Sequence, residues 1–405
     1  MCIRLAPIAA ALVLAITPLS AAAQKDSKEP ERPKLPAGAD TNDPRAYYLA
    51  GERLLRSNAS RAADAFYWAM RLDPTWADAL YARRSALLMS NPRRLARYLD
   101  GDRRTLRSEE VSRIDSLHLR ALMTNPFLYR KYERQMMTAY VIESVNGGSG
   151  ADRLSPPEIA HIWDSYLMRA PAAVKGWAAY ADGRFDDALK RYAEALSTTK
   201  RKAYLRTERG RIFQMTGALD SALVMLQLAA EELRKQDNEE LVFLYDSKAL
   251  LEFSIGKIHE SRDQREEARE AYGRALQEDL SFYPAHVALS GLALMAGDTT
   301  AVVSEMELAT ELRPNDPVIR VIYGYALQQL GRREAAITQL ERAIATEPLF
   351  ARPHFILAEL HEQGGDRASA LRHYEQFVAR AAKTAPDHDA AVAKVAQIKS
   401  AGITQ

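Results

Sequence analysis

Cysteine is almost missing: Cys2 is the only one in 405 residues. That excludes a disulfide framework and any thiolate metal site. Phosphate-cradling glycine loops of the GxGxxG and Walker kinds are absent, as are GxSxG and HExxH. Beyond residue 19 no stretch approaches the roughly 18 apolar residues that mark a membrane helix. An excess of one charge is missing too, since 55 Lys and Arg face 53 Asp and Glu. A balance of +2 gives the whole chain no electrostatic pull toward nucleic acid. These absences remove most reaction chemistries and leave no signal for a catalytic residue, metal or cofactor.

What is present starts at the N-terminus. Arg4 precedes an apolar run from Ala6 to Leu19, and Ala21-Ala22-Ala23 supplies small residues before Gln24. Residues 1–23 therefore read as a bacterial-type secretory signal, with a periplasmic or secreted product. The run is short for a span and is broken by Pro7 and Pro18, so a retained membrane anchor is the minority expectation. Cleavage after Ala23 removes Cys2. Residues 24–42 are charged and proline-rich, and they read as a flexible linker.

From there the sequence repeats. Gly176, Gly183, Ala188, Tyr192 and Ala195 return 34 residues later as Gly210, Gly217, Ala222, Leu226 and Ala229. Further copies carry Gly256, Ala268, Tyr272 and Ala275, then Ser290, Gly297, Met306 and Ala309. Two more run through Gly324, Gly331, Ala336, Leu340 and Ala343, and through Ala358, Gly365, Ala370 and Tyr374. Such a period calls for two helices per unit. Gly183, Gly217, Gly297, Gly331 and Gly365 stand where a helix ends and φ turns positive. The small residues let helices approach, and the large residue that follows fills the gap. Pro74, Pro314 and Pro348 close second helices. One unit cannot cover its own apolar stripe, so stacking is required.

This spacing resembles the tetratricopeptide repeat (TPR). The resemblance implies an all-α, right-handed helical-repeat solenoid of helix-turn-helix units, six of them over 169–384. A seventh lies at 43–76, through Ala50, Ala62, Phe66, Ala69 and Pro74. The family's tryptophan column holds Ala, Arg, Glu or His here. The interval from Gly210 to Gly256 is also long, which predicts extended helices around Leu233 and Leu244. Residues 43–168 then comprise that N-terminal unit followed, over 77–168, by degenerate helices. Helix starts are expected at Ser108 and at Ser155-Pro156-Pro157-Glu158, with a loop at 146–150. Residues 385–405 read as a capping helix and tail, apolar at Val392, Val395 and Ile398.

In the resembling family the first helices of successive units line a concave groove. That implies a partner-binding face here made of Tyr47, Trp177, Tyr180, Tyr204, Arg211, Gln214, Phe253, Lys257, Met295, Tyr325, Gln328, Phe355 and Glu359. Rigid aromatics among a few polar groups are what recognition surfaces use, although Tyr204 and Phe253 are the ones most open to packing between units. The expected function is an exported scaffold that binds a protein or peptide in this groove, in envelope assembly or secretion, and is not an enzyme. Two alternatives stand beside it: a membrane-tethered assembly factor, and a ligand-binding or catalytic insert at 77–168. The stretch 83–134 holds thirteen Lys and Arg against six Asp and Glu, a route to membrane contact or to a solvated helix face. His354, His361 and His373 fall in or beside packing columns and are expected to be structural.

Overall fold

A computed structural model of the chain describes residues 29–99, 102–146, 171–199, 202–235 and 247–402. The signal at 1–23, the helix start at Ser155–Glu158, the loop beyond Asn146 and the neighbourhood of Leu244 lie outside the described residues. Among those described, every regular element is a helix and none is long and apolar enough to cross a membrane.

The N-terminal block contains α1 (Pro44–Leu54), α2 (Ala59–Leu72), α3 (Ala77–Met89), α4 (Pro92–Leu99), the single turn α5 (Arg103–Leu106), α6 (Glu109–Thr124) and α7 (Glu133–Asn146). Six helix pairs follow. They are α8 (Pro171–Ala181) with α9 (Phe185–Ala195), α10 (Lys202–Met215) with α11 (Leu219–Lys235), and α12 (Lys248–Ser261) with α13 (Arg265–Glu278). Next come α14 (Tyr283–Ala296) with α15 (Thr299–Leu312), α16 (Pro317–Gln329) with α17 (Arg333–Thr346), and α18 (Arg352–Gln363) with α19 (Arg367–Arg380). The last helix is α20 (His388–Gly402). Each pair packs internally and each second helix packs on the next first helix, which makes the array a helical-repeat solenoid.

Local chemistry sets the boundaries. The side chains of Asp43, Asn58, Ser108, Ser247, Asp298, Asp316 and Asp366 accept from backbone N–H groups that open α1, α2, α6, α12, α15, α16 and α19. Gly183, Gly217, Gly297, Gly331 and Gly365 all have φ between 69° and 82°, as the turn within each pair requires. Tyr192, Leu226, Tyr272, Met306, Leu340 and Tyr374 are buried between paired helices, in the gap-filling role the spacing assigned them. In the first unit the small residue facing Phe66 is Gly51 rather than Ala50: a Cβ on Gly51 would lie 2.6 Å from the Phe66 ring. The long helix expected near Leu233 is present, α11 running 17 residues.

Two expectations change. Residues 32–42 of the supposed flexible linker are tied to the body, because Arg32 lies over the Tyr47 and Trp68 rings and donates to the Tyr47 hydroxyl at 2.7 Å. Leu35 packs against the same core. The capping helix keeps Val395 and Ile398 against the last pair, whereas Val392 is exposed. The two ends of the array also meet. Arg71 forks onto both oxygens of Glu347 at 2.6 and 2.8 Å, Asn42 donates to the Ala379 carbonyl at 2.8 Å, and the Lys383 N–H donates to Asp40 at 2.7 Å.

Candidate functional site

The first helices α8, α10, α12, α14, α16 and α18 carry most of the positions expected on the inner face, and the structure divides these residues into two classes. Trp177, Tyr180, Arg211, Phe253 and Phe355 are buried, and so is Tyr47 on α1. Tyr204, Gln214, Lys257, Gln328 and Glu359 are half-buried. Only Met295, at 52% exposure, and Tyr325, at 47%, present large surfaces to solvent. The expected continuous binding face is therefore interrupted. Phe355 is buried by its own neighbours, in contact with Tyr374 and Phe377. The burial of Trp177, Tyr180 and Arg211 has a different origin.

That origin is the stretch between α6 and α7 together with Glu133 at the start of α7. Asn125-Pro126 stops α6, since proline disfavours helix at the residue before it, and residues 127–130 run without regular structure. Their side chains diverge. Phe127 enters an apolar cluster made by Ala203, Leu226, Leu251 and Ile255 of the array. Leu128 and Tyr132 join a core shared by the N-terminal block and α12–α14, with Tyr132 stacked on Tyr81 and its hydroxyl 2.9 Å from the Tyr48 hydroxyl and 2.9 Å from a carboxylate oxygen of Glu52. Tyr129 meets Tyr180 and Phe185 edge-on, and its hydroxyl donates to the carbonyls that end α8, at 3.2 Å from Tyr180 and 3.3 Å from Ala181. The Arg130 N–H donates to the Tyr180 hydroxyl at 3.0 Å.

Arg130 is the polar centre of this contact. Its guanidinium pairs with Glu208 on α10 and lies 3.0 Å from Glu133 on α7. Glu208 also receives Arg211 at 2.8 Å, and Glu133 receives the Trp177 indole N–H at 2.8 Å. The cluster balances two guanidiniums against two carboxylates out of water, which is the condition for charges to be tolerated there. Burial raises the Glu133 carboxyl, with Arg130 opposing. Burial also pushes the Tyr180 hydroxyl up to about 12. Burial holds His118 well below its ordinary range, and Arg84, Arg130 and Arg211 add to that, so it stays neutral.

The basic stretch is divided between core and surface. Arg84 and Arg130 are buried, and Arg84 donates to the Tyr98 hydroxyl at 3.0 Å. Arg93, Arg97, Arg104, Arg107, Arg113 and Arg134 are exposed, so half of the described basic residues of this stretch face solvent. The three C-terminal histidines do come together: His354 Nδ1 lies 3.2 Å from His373 Nδ1, and His361 stacks on His373. Among the described residues no three His, Cys, Asp or Glu side chains converge as a metal would need.

Residues 174–238 and 324–386 match the tetratricopeptide repeat model. These two stretches cover most of α8–α11 and of α16–α19; Trp177, Tyr180 and Tyr325 fall within them, whereas Phe253 on α12 and Met295 on α14 lie outside both. No curated protein matches the chain. Among solved structures, a tetratricopeptide repeat protein from Parabacteroides merdae is 15% identical with a TM-score of 0.44, over 57% of this chain and 86% of its own. MamA gives 17% and 0.37, over 44% and 92%. YrrB, described as a TPR protein with an unusual peptide-binding site, gives 18% and 0.38, over 50% and 95%.

The sequence pattern did not single out Phe127, Tyr129, Arg130 or Glu208. A dense aromatic and basic run directly after Asn-Pro, outside any helix, was the available signal. The pairing of Arg130 with Glu208 joins residues 78 apart and leaves no local trace.

Proposed function

We propose that this chain is an exported scaffold that holds a protein or peptide partner on the open part of its inner face. The supporting observation is the pair of large solvent-facing residues on neighbouring first helices, Met295 on α14 and Tyr325 on α16. Ile322, one turn before Tyr325 and 37% exposed, extends the apolar surface, and Gln328 and Glu359 add polar groups beside it. An amphipathic tyrosine with adjacent apolar and hydrogen-bonding groups is a common anchor for a bound chain. Export to the periplasm or beyond rests on the signal-like residues 1–23, and a role in envelope assembly or secretion follows from that location. A nucleic-acid partner is disfavoured by the balanced charge and by export.

The test is affinity isolation from an envelope fraction with the unaltered chain and with a Met295→Ala/Tyr325→Ala variant. Loss of the partner by tenfold or more, with helix content unchanged, is the expected result. Equal recovery refutes this surface as the binding site.

A further inference from the structure

In the N-terminal block α3 packs directly on α6, and the chain between them makes an excursion, α4 and α5, that leaves the stack and touches α7. Basic residues concentrate there: six arginines stand from Arg93 to Arg107, against Asp100 and Asp102. With the start of α6 the excursion encloses an open cleft of about 810 Å3. Four arginines line it, and they are not equivalent. Arg94 pairs with Glu110 and donates to the Leu87 carbonyl, and Arg93 lies 3.6 Å from Glu143. Arg97 and Arg104 are exposed, and among the described residues no carboxylate lies within salt-bridge distance of either. Asp102, on the same wall, is turned to Thr105 instead, accepting its N–H at 2.9 Å and its hydroxyl at 2.6 Å. Those bonds are the first causes that hold the Asp102 carboxyl below its ordinary range, and the Arg97 charge is the smallest. Asn91 accepts the Arg94 N–H at 3.0 Å through its side-chain oxygen and keeps its amide NH2 as a further donor on the cleft wall.

Two guanidiniums without a carboxylate on one cleft call for an anion. Guanidinium holds phosphate oxygens through paired N–H donors, and a phosphate monoester carries a charge of roughly −1.5 to −2 near neutral pH. Size favours an ester over free phosphate, because clefts of about 300–1,000 Å3 hold whole small molecules. We propose that the cleft between α4 and α6 binds a phosphate monoester, with Arg97 and Arg104 on its phosphate oxygens and the Asn91 amide beside them. Two sources carry that group, a lipid headgroup and a soluble ester. Leu106, next to Thr105 in the chain and 42% exposed, sets an apolar group among the basic ones, as contact with a lipid surface would use. The cleft shares no residue with Met295 and Tyr325, so its test and that of the partner surface are independent.

Two assays separate the sources. The full chain is sedimented with phosphatidylcholine vesicles that hold an equal share of either phosphatidic acid, a monoester, or phosphatidylglycerol, a diester. Glucose 6-phosphate, a soluble monoester, is titrated in by calorimetry. Binding to phosphatidic acid at least tenfold over phosphatidylglycerol identifies a lipid source, and saturable binding of glucose 6-phosphate identifies a soluble one. Arg97→Gln/Arg104→Gln should weaken either at least tenfold. Arg45→Gln/Arg61→Gln removes the same charge from exposed positions on α1 and α2 and should leave binding unchanged. All four side chains are exposed, so circular dichroism should report unaltered helix content in both variants. Absence of binding in both assays, or an equal loss in the two variants, overturns the proposal. Equal binding of the two vesicle types without binding of glucose 6-phosphate also overturns it, since general charge attraction then accounts for the contact.

Discussion

Two glycine-to-alanine substitutions separate helix propensity from helix packing. Gly324 on α16 and Gly291 on α14 both lie inside helices, so alanine gains about 1 kcal/mol of backbone preference at each. Their surroundings differ. A Cβ on Gly324 would lie 2.7 Å from Leu340 Cγ and 3.3 Å from the Ala336 carbonyl, and Leu340 is fully buried. A Cβ on Gly291 meets nothing within 4 Å. Leu340 Cγ is the branch point of a packed side chain, and α17 must shift to admit the methyl. Overpacking of this kind costs about 1–3 kcal/mol. Gly291→Ala should therefore stabilise, and Gly324→Ala should fall about 1–3 kcal/mol below it. Urea denaturation followed by helical circular dichroism measures the pair. Hydrogen exchange of α16 and α17 amides localises the effect, since a repeat array can open unit by unit. Equal stabilisation by both substitutions would refute the claim that close approach at the small-residue column holds each helix pair together.

Two further outcomes follow from buried charge. His354 and His373 are both lowered to about 4, first by burial and then by neighbouring positive groups: Arg380 and His373 for His354, and His361 and Arg372 for His373, with Asp366 opposing there. Their unfolded value is near 6.5, so the unfolded chain binds more protons between those limits. Stability from this pair is complete above pH 6.5 and is lost as pH falls toward 4. The loss is up to about 3 kcal/mol for the enclosed His354, and roughly half of that for the more open His373 after solvent screening. A His354→Gln/His373→Gln variant should flatten that limb in thermal melts across pH, and an unchanged slope would contradict it. Glu208→Ala leaves Arg211 without its carboxylate and Arg130 with Glu133 alone, both buried, and should destabilise by about 3–5 kcal/mol in denaturant titration. A change below 1 kcal/mol would mean the cluster is hydrated.

Much of the architecture was legible because it is periodic. Glycines such as Gly297 and Gly331 need positive φ, and residues such as Tyr272 and Leu340 need a small neighbour; the first requirement leaves a glycine in five of the six pairs from α8 onward, with Asp263 in the sixth, and the second leaves a mark in all of them. The site was less legible because period says which face a residue occupies, not what else covers it. Trp177 and Tyr325 both read as inner-face aromatics. Trp177 is closed over by Glu133, which lies on α7 outside the repeating part, whereas Tyr325 is open. Likewise Asp40 and Asn42 read as linker by composition, and only their contacts with Lys383 and Ala379 across the chain fix them. Long-range pairing of single residues carries no periodic signature.

The division of the inner face into a filled part and an open part is tested most directly by photo-crosslinking in native cells, with benzoylphenylalanine placed at Trp177 in one variant and at Tyr325 in another. The Trp177 position should crosslink within the chain, to the region of Glu133, and the Tyr325 position should capture a separate protein. Capture of a separate protein at Trp177 together with none at Tyr325 would contradict the assignment of the two faces.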